Sequence, residues 1–285
     1  MRILIIDPDS GGGIFQASLY LHDYLNLFHQ ADIFIGFDIP KIKSYLKDYD
    51  LMIVHDKPID VSSFDIKTAY FVPSYFPYSF DESFEKLITY DYYISPVNES
   101  YNNHIKWTFN IPIPKITVPF ESKKDALYIG RVNEWKIDFS FLRPFLIKYR
   151  LDIIGEITNP VFHSLIKEAF DIRHKDSMPH KECLDEMQYY RYFILASNTD
   201  IFCLSALEAI YRGCYPLIKS RSFEYPWMVE ETFRTNDPVY FLNSFEEFTE
   251  LPVEEIKSLT ITHRRKVIER MEELSNIEVF NQIFA

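Results

Sequence analysis

Glycine is scarce in this chain: seven occur in 285 residues, where average usage of about 7% would give about twenty. A sequence this sparing keeps glycine where the backbone demands it, which makes Gly11, Gly12, Gly13, Gly36, Gly130, Gly155 and Gly213 informative. All but Gly36 follow or end a predicted core element. Cysteine is scarcer still. Cys183, Cys203 and Cys214 form an odd set without C-x-x-C spacing, which argues against a disulfide framework and reads as reduced, buried thiols in a cytoplasmic protein. No apolar run approaches the roughly 18 residues of a membrane span. The opening Arg2 to Ile6 run is too short for a signal peptide. Cationic residues are in deficit, with 30 Lys and Arg against 42 Asp and Glu and a net charge of −12. That balance argues against a nucleic acid or an anionic membrane as main partner. His163, His174 and His180 lack metal-ligand spacing such as H-E-x-x-H, so no metal is expected. G-x-G-x-x-G and the Lys-Ser/Thr of a P-loop are both missing, which disfavours a dinucleotide enzyme, a flavodoxin-like module and a P-loop NTPase.

What is present is core material. Hydrophobic residues make up 47% and aromatics 17%, and the length suits two domains. Apolar strands at 2–6, 31–37, 51–55, 67–72 and 91–95 alternate with helical segments after Gly13, at 40–48 and at 80–89, which predicts a parallel sheet covered on both faces. Ligands of such sheets bind at the carboxyl ends of strands. That rule points to His55 and Asp56, and to Val72 through Ser74 and Tyr75. A strand, a glycine-rich turn and a helix also suit an anion, because amides can approach it where no Cβ intervenes. Pro112, Pro114 and Pro119 mark 110–119 as an extended linker. The expected domains are 1–122 and 123–259, with a C-terminal helix at about 260–285 packing back on the first. In the second domain strands are expected at 126–129, 151–154, near 172 and at 191–196, and helices at 160–170, 180–189, 223–231 and 244–250. The apolar side of the 260–275 helix carries Val267, Ile268, Met271 and Leu274.

The stretch from Asn198 to Ile218 organises the second domain. It reads as a polar loop, a helix from about Phe202 to Arg212, a glycine stop at Gly213 and a strand holding Pro216. At the helical period, Leu204, Leu207 and Tyr211 share one stripe and Glu208 falls inside it. A carboxylate on an apolar face needs a partner. Asp200, in the loop feeding the helix, is a second acid close to an N-terminus that attracts anions and is also a residue type that caps helices.

An acid, seven residues, Glu-Ala, a glycine stop and a Pro-hydrophobic strand together resemble the signature of GT-B nucleotide-sugar glycosyltransferases, in particular glycosyltransferase family 4. The turn Gly130-Arg-Val-Asn-Glu-Trp-Lys136 resembles the same family, with Gly-Arg after a strand and a Lys five residues later. The resemblance covers the second domain well, and the first mainly by strand-helix order and the tandem glycines. It implies an α/β fold of GT-B type, two Rossmann-like domains with parallel sheets facing a cleft. Glu208 would then hold the donor ribose and Asp200 would touch the transferred sugar. Arg131, Lys136 and the amides around Cys203 and Leu204 would face the diphosphate, neutralising the leaving group without a metal. Gly12 and Gly13 would lie near the donor phosphate and sugar, and the loop 175–179 would receive the base. Two departures stand out: Asp200 is one methylene shorter than the usual Glu, and Ser74 and Tyr75 occupy the place of a catalytic-site His.

The resulting expectation is a retaining, metal-independent hexosyltransferase without a cofactor. Its substrate would be a nucleotide sugar, a UDP-sugar first, and its acceptor a sugar, lipid or protein. A non-catalytic binding or assembly protein on the same fold, or a nucleotide-sugar epimerase using His55, Asp56 and Asp9, remain open alternatives.

Overall fold

The structure is a computed structural model that describes residues 1–7, 12–55, 58–71, 90–95, 103–197, 203–219 and 234–284. Gly11, Asp9, Asp56, Ser74, Tyr75, Asp200 and the helices expected at 80–89 and 223–231 lie outside the described residues. Two compact units are present: Met1–Pro112 together with Glu269–Ala285, and Ile113–Ile268.

The first unit is built on strands β1 (Arg2–Asp7), β2 (Gln30–Ile35), β3 (Leu51–His55), β4 (Lys67–Phe71), β5 (Tyr92–Ser95) and β6 (His104–Lys106). They form a sheet in the order β2-β1-β3-β4-β5-β6, every pairing parallel. β1 and β3 read as unbroken apolar runs because both of their faces are covered. One face packs Leu4, Ile6, Met52, Val54 and Tyr70 against Ile42 of helix α2 (Ile39–Tyr45). Asp38 caps that helix by accepting from the Lys41 amide, and Pro40 sits in its first turn, where its missing N–H costs nothing.

Helix α1 is Gly12–Leu25, so Gly12 and Gly13 are the first residues of a helix where a turn was expected. Their amides are still first-turn donors without intrahelical acceptors. Phe28 lies beyond the end of α1 and is half exposed. Gly36, assigned to a strand interior, follows β2 with φ +104 and donates to the Asp7 carbonyl. The C-terminal segment closes this unit: Phe280 packs on Trp107 with ring centroids 4.7 Å apart, and Tyr24 donates to the Ser275 carbonyl at 2.5 Å.

The second unit has β7 (Lys124–Ile129), β8 (Leu151–Ile154), β9 (Ile172–Lys175), β10 (Tyr190–Leu195), β11 (Tyr215–Lys219) and β12 (Arg234–Thr235) in the parallel order β12-β11-β10-β7-β8-β9. Pro216 is tolerated in β11 because β12 pairs only with Ile218 and Lys219. The helices are α3 (Phe139–Lys148), α4 (Pro160–Ala169), α5 (His180–Met187), α6 (Leu204–Tyr211), α7 (Pro238–Thr249) and α8 (Val253–Leu274), the last shared with the first unit; α9 (Ile277–Phe280) follows it there. Asp138, Asn159 and Asp237 cap α3, α4 and α7. Aromatics fill the space between α3 and α7: Phe141 meets Phe241 and Phe145 meets Phe245, each pair at 5.0 Å.

No helix among the described residues is long and apolar enough to cross a membrane. The three cysteines are free thiols. Cys203 and Cys214 are buried as expected, but Cys183, on α5, is only half-buried.

Candidate functional site

In the second unit the carboxyl ends of the adjacent strands β7 and β10 carry the features singled out in the sequence. After β7 the chain enters the turn 130–136 through Gly130, at φ +156. Gly155 ends β8 beside it. A Cβ at Gly155 would lie 1.9 Å from the Gly130 carbonyl oxygen, so the two strand ends touch backbone to backbone. The turn is then held at several points. The Val132 amide donates to the Glu156 carbonyl at 2.8 Å, and the Asn133 side chain accepts from the Lys136 amide at 2.9 Å. Its exit is tied to β10 by the Asp138 amide on the Ala196 carbonyl at 2.6 Å. The Arg131 side chain is exposed and makes no hydrogen bond among the described residues, while Lys136 is half-buried. The turn therefore offers two cations on a fixed backbone at the ligand end of the sheet.

Asp138 also accepts from the Lys219 ammonium at the end of β11. Burial pushes the Asp138 carboxyl up, but bonds from Lys219, Ser140 and the Phe141 amide outweigh it and hold the group below its ordinary value.

Helix α6 starts one residue after Cys203, whose carbonyl accepts from the Ala206 and Leu207 amides. The amides of Leu204 and Ser205 are first-turn donors that the helix itself leaves without acceptors. At the other end, Gly213 at φ +77 lets the Cys214 amide reach the Ala209 carbonyl and its own amide reach that of Ile210, the paired bonds of a Schellman stop. The Lys123 ammonium, itself buried, donates to the Gly213 carbonyl at 2.8 Å and adds a cation where the helix dipole is negative.

Glu208 is 3% exposed on this helix. One partner is His180, the first residue of α5, whose Nε2 is 2.7 Å from Oε1. An ionised carboxylate only accepts, so Nε2 carries the proton in this contact. His180 directly follows the loop 176–179, so the bond joins that loop to α6. Of the other histidines, His174 bonds through Nε2 to the Gly155 carbonyl at 2.8 Å. Among the described residues no group of three or more His, Cys, Asp or Glu side chains is arranged to hold a metal ion.

The first unit places His55 at the end of β3, completely buried beside Asp7 at the end of β1. Ser18 of α1 joins them: its hydroxyl donates to Asp7 and lies 2.5 Å from Nδ1 of His55. Among the described residues, buried His55 Nε2 has no hydrogen-bond partner.

The structure thus groups the turn 130–136 with the end of β10, and His180 with Glu208. Sequence reasoning picked out Glu208's need for a partner but not His180, and it missed Lys219 and Tyr128.

Solved structures share this pair of parallel sheets. The apo lipopolysaccharide outer core galactosyltransferase WaaB matches with a TM-score of 0.65 at 14% identity, covering 100% of this chain and 99% of that one. Anabaena HepE in complex with UDP-glucose matches with a TM-score of 0.70 at 13% identity, covering 100% of this chain and 98% of that one. T4 phage BGT with UDP-glucose matches at 0.61 and 12% identity, with 99% of both chains covered. The fold is GT-B. At these identities the likeness reaches no further than the fold. No protein-family model matches the chain, and no curated protein matches it.

Proposed function

We propose that this GT-B protein is a glycosyltransferase that moves a sugar from a nucleotide diphosphate donor, a UDP-sugar, to an acceptor hydroxyl, with retention and without a metal. The observation that carries the reading is the juxtaposition at the end of β7 and β10: a backbone-fixed turn bearing Arg131 and Lys136 is tied to the strand that leads toward α6. In this reading the diphosphate lies between those cations and the first amides of α6, where charge and donor geometry suit it. Glu208, held by His180, accepts from the ribose hydroxyls, and the base meets the loop 175–179. UDP and UDP-glucose in complexes of GT-B neighbours support the choice of donor.

In the transfer the bond from C1 of the sugar to the β-phosphate oxygen breaks and a new bond from C1 to the acceptor oxygen forms. The acceptor proton passes to the departing diphosphate. Negative charge grows on the diphosphate as the bond breaks, so Arg131, Lys136 and the helix amides stabilise the transition state more than the bound donor. Asp200 is proposed to orient the sugar.

The reading is tested by calorimetric titration of UDP, GDP and ADP into the protein with EDTA present. UDP should bind and raise the melting temperature, since a ligand held only by the folded state stabilises it. A strict requirement for added divalent metal, or no binding of any nucleoside diphosphate, would overturn it.

A further inference from the structure

We propose that Tyr128 is the positioning residue of the diphosphate-binding turn; this rests on the nucleotide-sugar reading above. Tyr128 lies on β7 and is 1% exposed, so its ring belongs to the core. Its hydroxyl leaves the core at the turn. The oxygen is 3.1 Å from the Arg131 carbonyl and 3.3 Å from the Lys136 carbonyl, and its single hydrogen is shared between the two. Those two carbonyls belong to the residues whose side chains supply the cations.

The geometry gives Gly130 a second purpose. A Cβ at residue 130 would stand 2.7 Å from the Tyr128 hydroxyl oxygen and 3.1 Å from the ring carbon bearing it. Glycine vacates the space through which the hydroxyl reaches both ends of the turn. The Val132 and Asn133 contacts each fix a point within it, whereas Tyr128 reaches the backbone beneath both cations. Long cationic side chains lose freedom when they engage an anion. Fixing the backbone under them lowers the ordering that binding must impose. Tyr128 thereby acts on the diphosphate through Arg131 and Lys136 and touches neither phosphate nor sugar.

Tyr128→Phe keeps the ring and removes only the hydroxyl. The experiment titrates wild type and Tyr128→Phe with two probes, UDP and uridine, and follows hydrogen exchange of the amides in 131–137. Uridine reports the intact ribose and base site, and therefore a folded donor unit. The expected result is unchanged uridine affinity, about a fivefold loss of UDP affinity from one lost hydrogen bond, and faster exchange confined to the turn. A structural role alone would move both probes together, and that result, or an unchanged ratio of UDP to uridine affinity, overturns the proposal. Should wild type bind neither probe, the nucleotide reading itself fails and this inference falls with it.

Discussion

Nε2 of His180 sits 2.7 Å from Oε1 of Glu208, across 28 residues of sequence, and so joins the start of α5 to the buried face of α6. The contact resolves the problem posed by a carboxylate in an apolar stripe, because a buried charge is tolerated when it is paired and hydrogen-bonded. His180→Ala removes that partner from a carboxylate that is only 4% exposed. The expected cost is about 0.5–1.5 kcal/mol of stability, the range for one lost hydrogen bond, measured by urea denaturation. UDP should also lose its preference over 2′-deoxy-UDP, and Glu208→Gln should reduce that preference with less loss of stability. Unchanged discrimination in both variants would remove Glu208 from the ribose.

Gly155 and Gly36 make a paired test of the packing at the ligand end of the sheets. Alanine at 155 drives a methyl to 1.9 Å from the Gly130 carbonyl, backbone that cannot swing aside, whereas a Cβ at 36 meets nothing within 4 Å. Both positions are strained for an L-residue by their φ values. Gly36→Ala should therefore cost only that strain, about 1–3 kcal/mol. Gly155→Ala should cost clearly more and abolish nucleotide binding. Equal thermal stability of the two variants would contradict the close approach of the strand ends.

Alkaline pH should weaken the fold. Burial pushes the Cys214 thiol from 9.0 up to about 12, only partly countered by Lys123 and Arg212. Burial likewise pushes Tyr192 from 10.0 up to about 12, Arg191 opposing it. Both groups ionise sooner in the unfolded chain, so their contribution is full below pH 9 and is lost as pH rises toward 12. The limiting slope for one such group is about 1.4 kcal/mol per pH unit. Lys123, lowered by burial, acts in the opposite sense, since its charged form is disfavoured in the fold. Urea midpoints measured from pH 8 to pH 11 should fall for wild type and fall less for Cys214→Ala. Identical slopes would refute the thiol's part, as would rapid alkylation of Cys214 in the native protein.

The legible parts of the sequence were those governed by local rules. α6 was readable because its apolar period, its acid in the apolar stripe and its glycine stop all act within one short segment. The strands β1 and β3 were readable because burial on both faces leaves an unbroken apolar run. α3 was not read at all: Pro144 stands inside it, and Phe139, Phe141 and Phe145 give it the composition of a strand. What stabilises α3 is an aromatic contact with α7 that lies about a hundred residues away. β6 and β12 are too short to leave a periodic signal. At the site, Gly130, Arg131 and Lys136 stood out by resemblance to the glycosyltransferase signature, but Tyr128 and His180 did not. Their contacts depend on how a strand end folds over its own turn and on which helix start faces α6, and neither is encoded in local periodicity.

The central claim, that this GT-B protein breaks a nucleotide-sugar bond by stabilising the departing diphosphate, is tested most directly by the rate of UDP release from a panel of UDP-sugars in EDTA. Wild type should release UDP slowly without an acceptor and faster with the correct one. Arg131→Ala and Lys136→Ala should each lower that rate on the order of a hundredfold, by more than they weaken UDP-sugar binding. The contradicting result is a wild type that binds UDP-sugars yet releases UDP from none of them, with sugar, lipid and peptide acceptors all supplied.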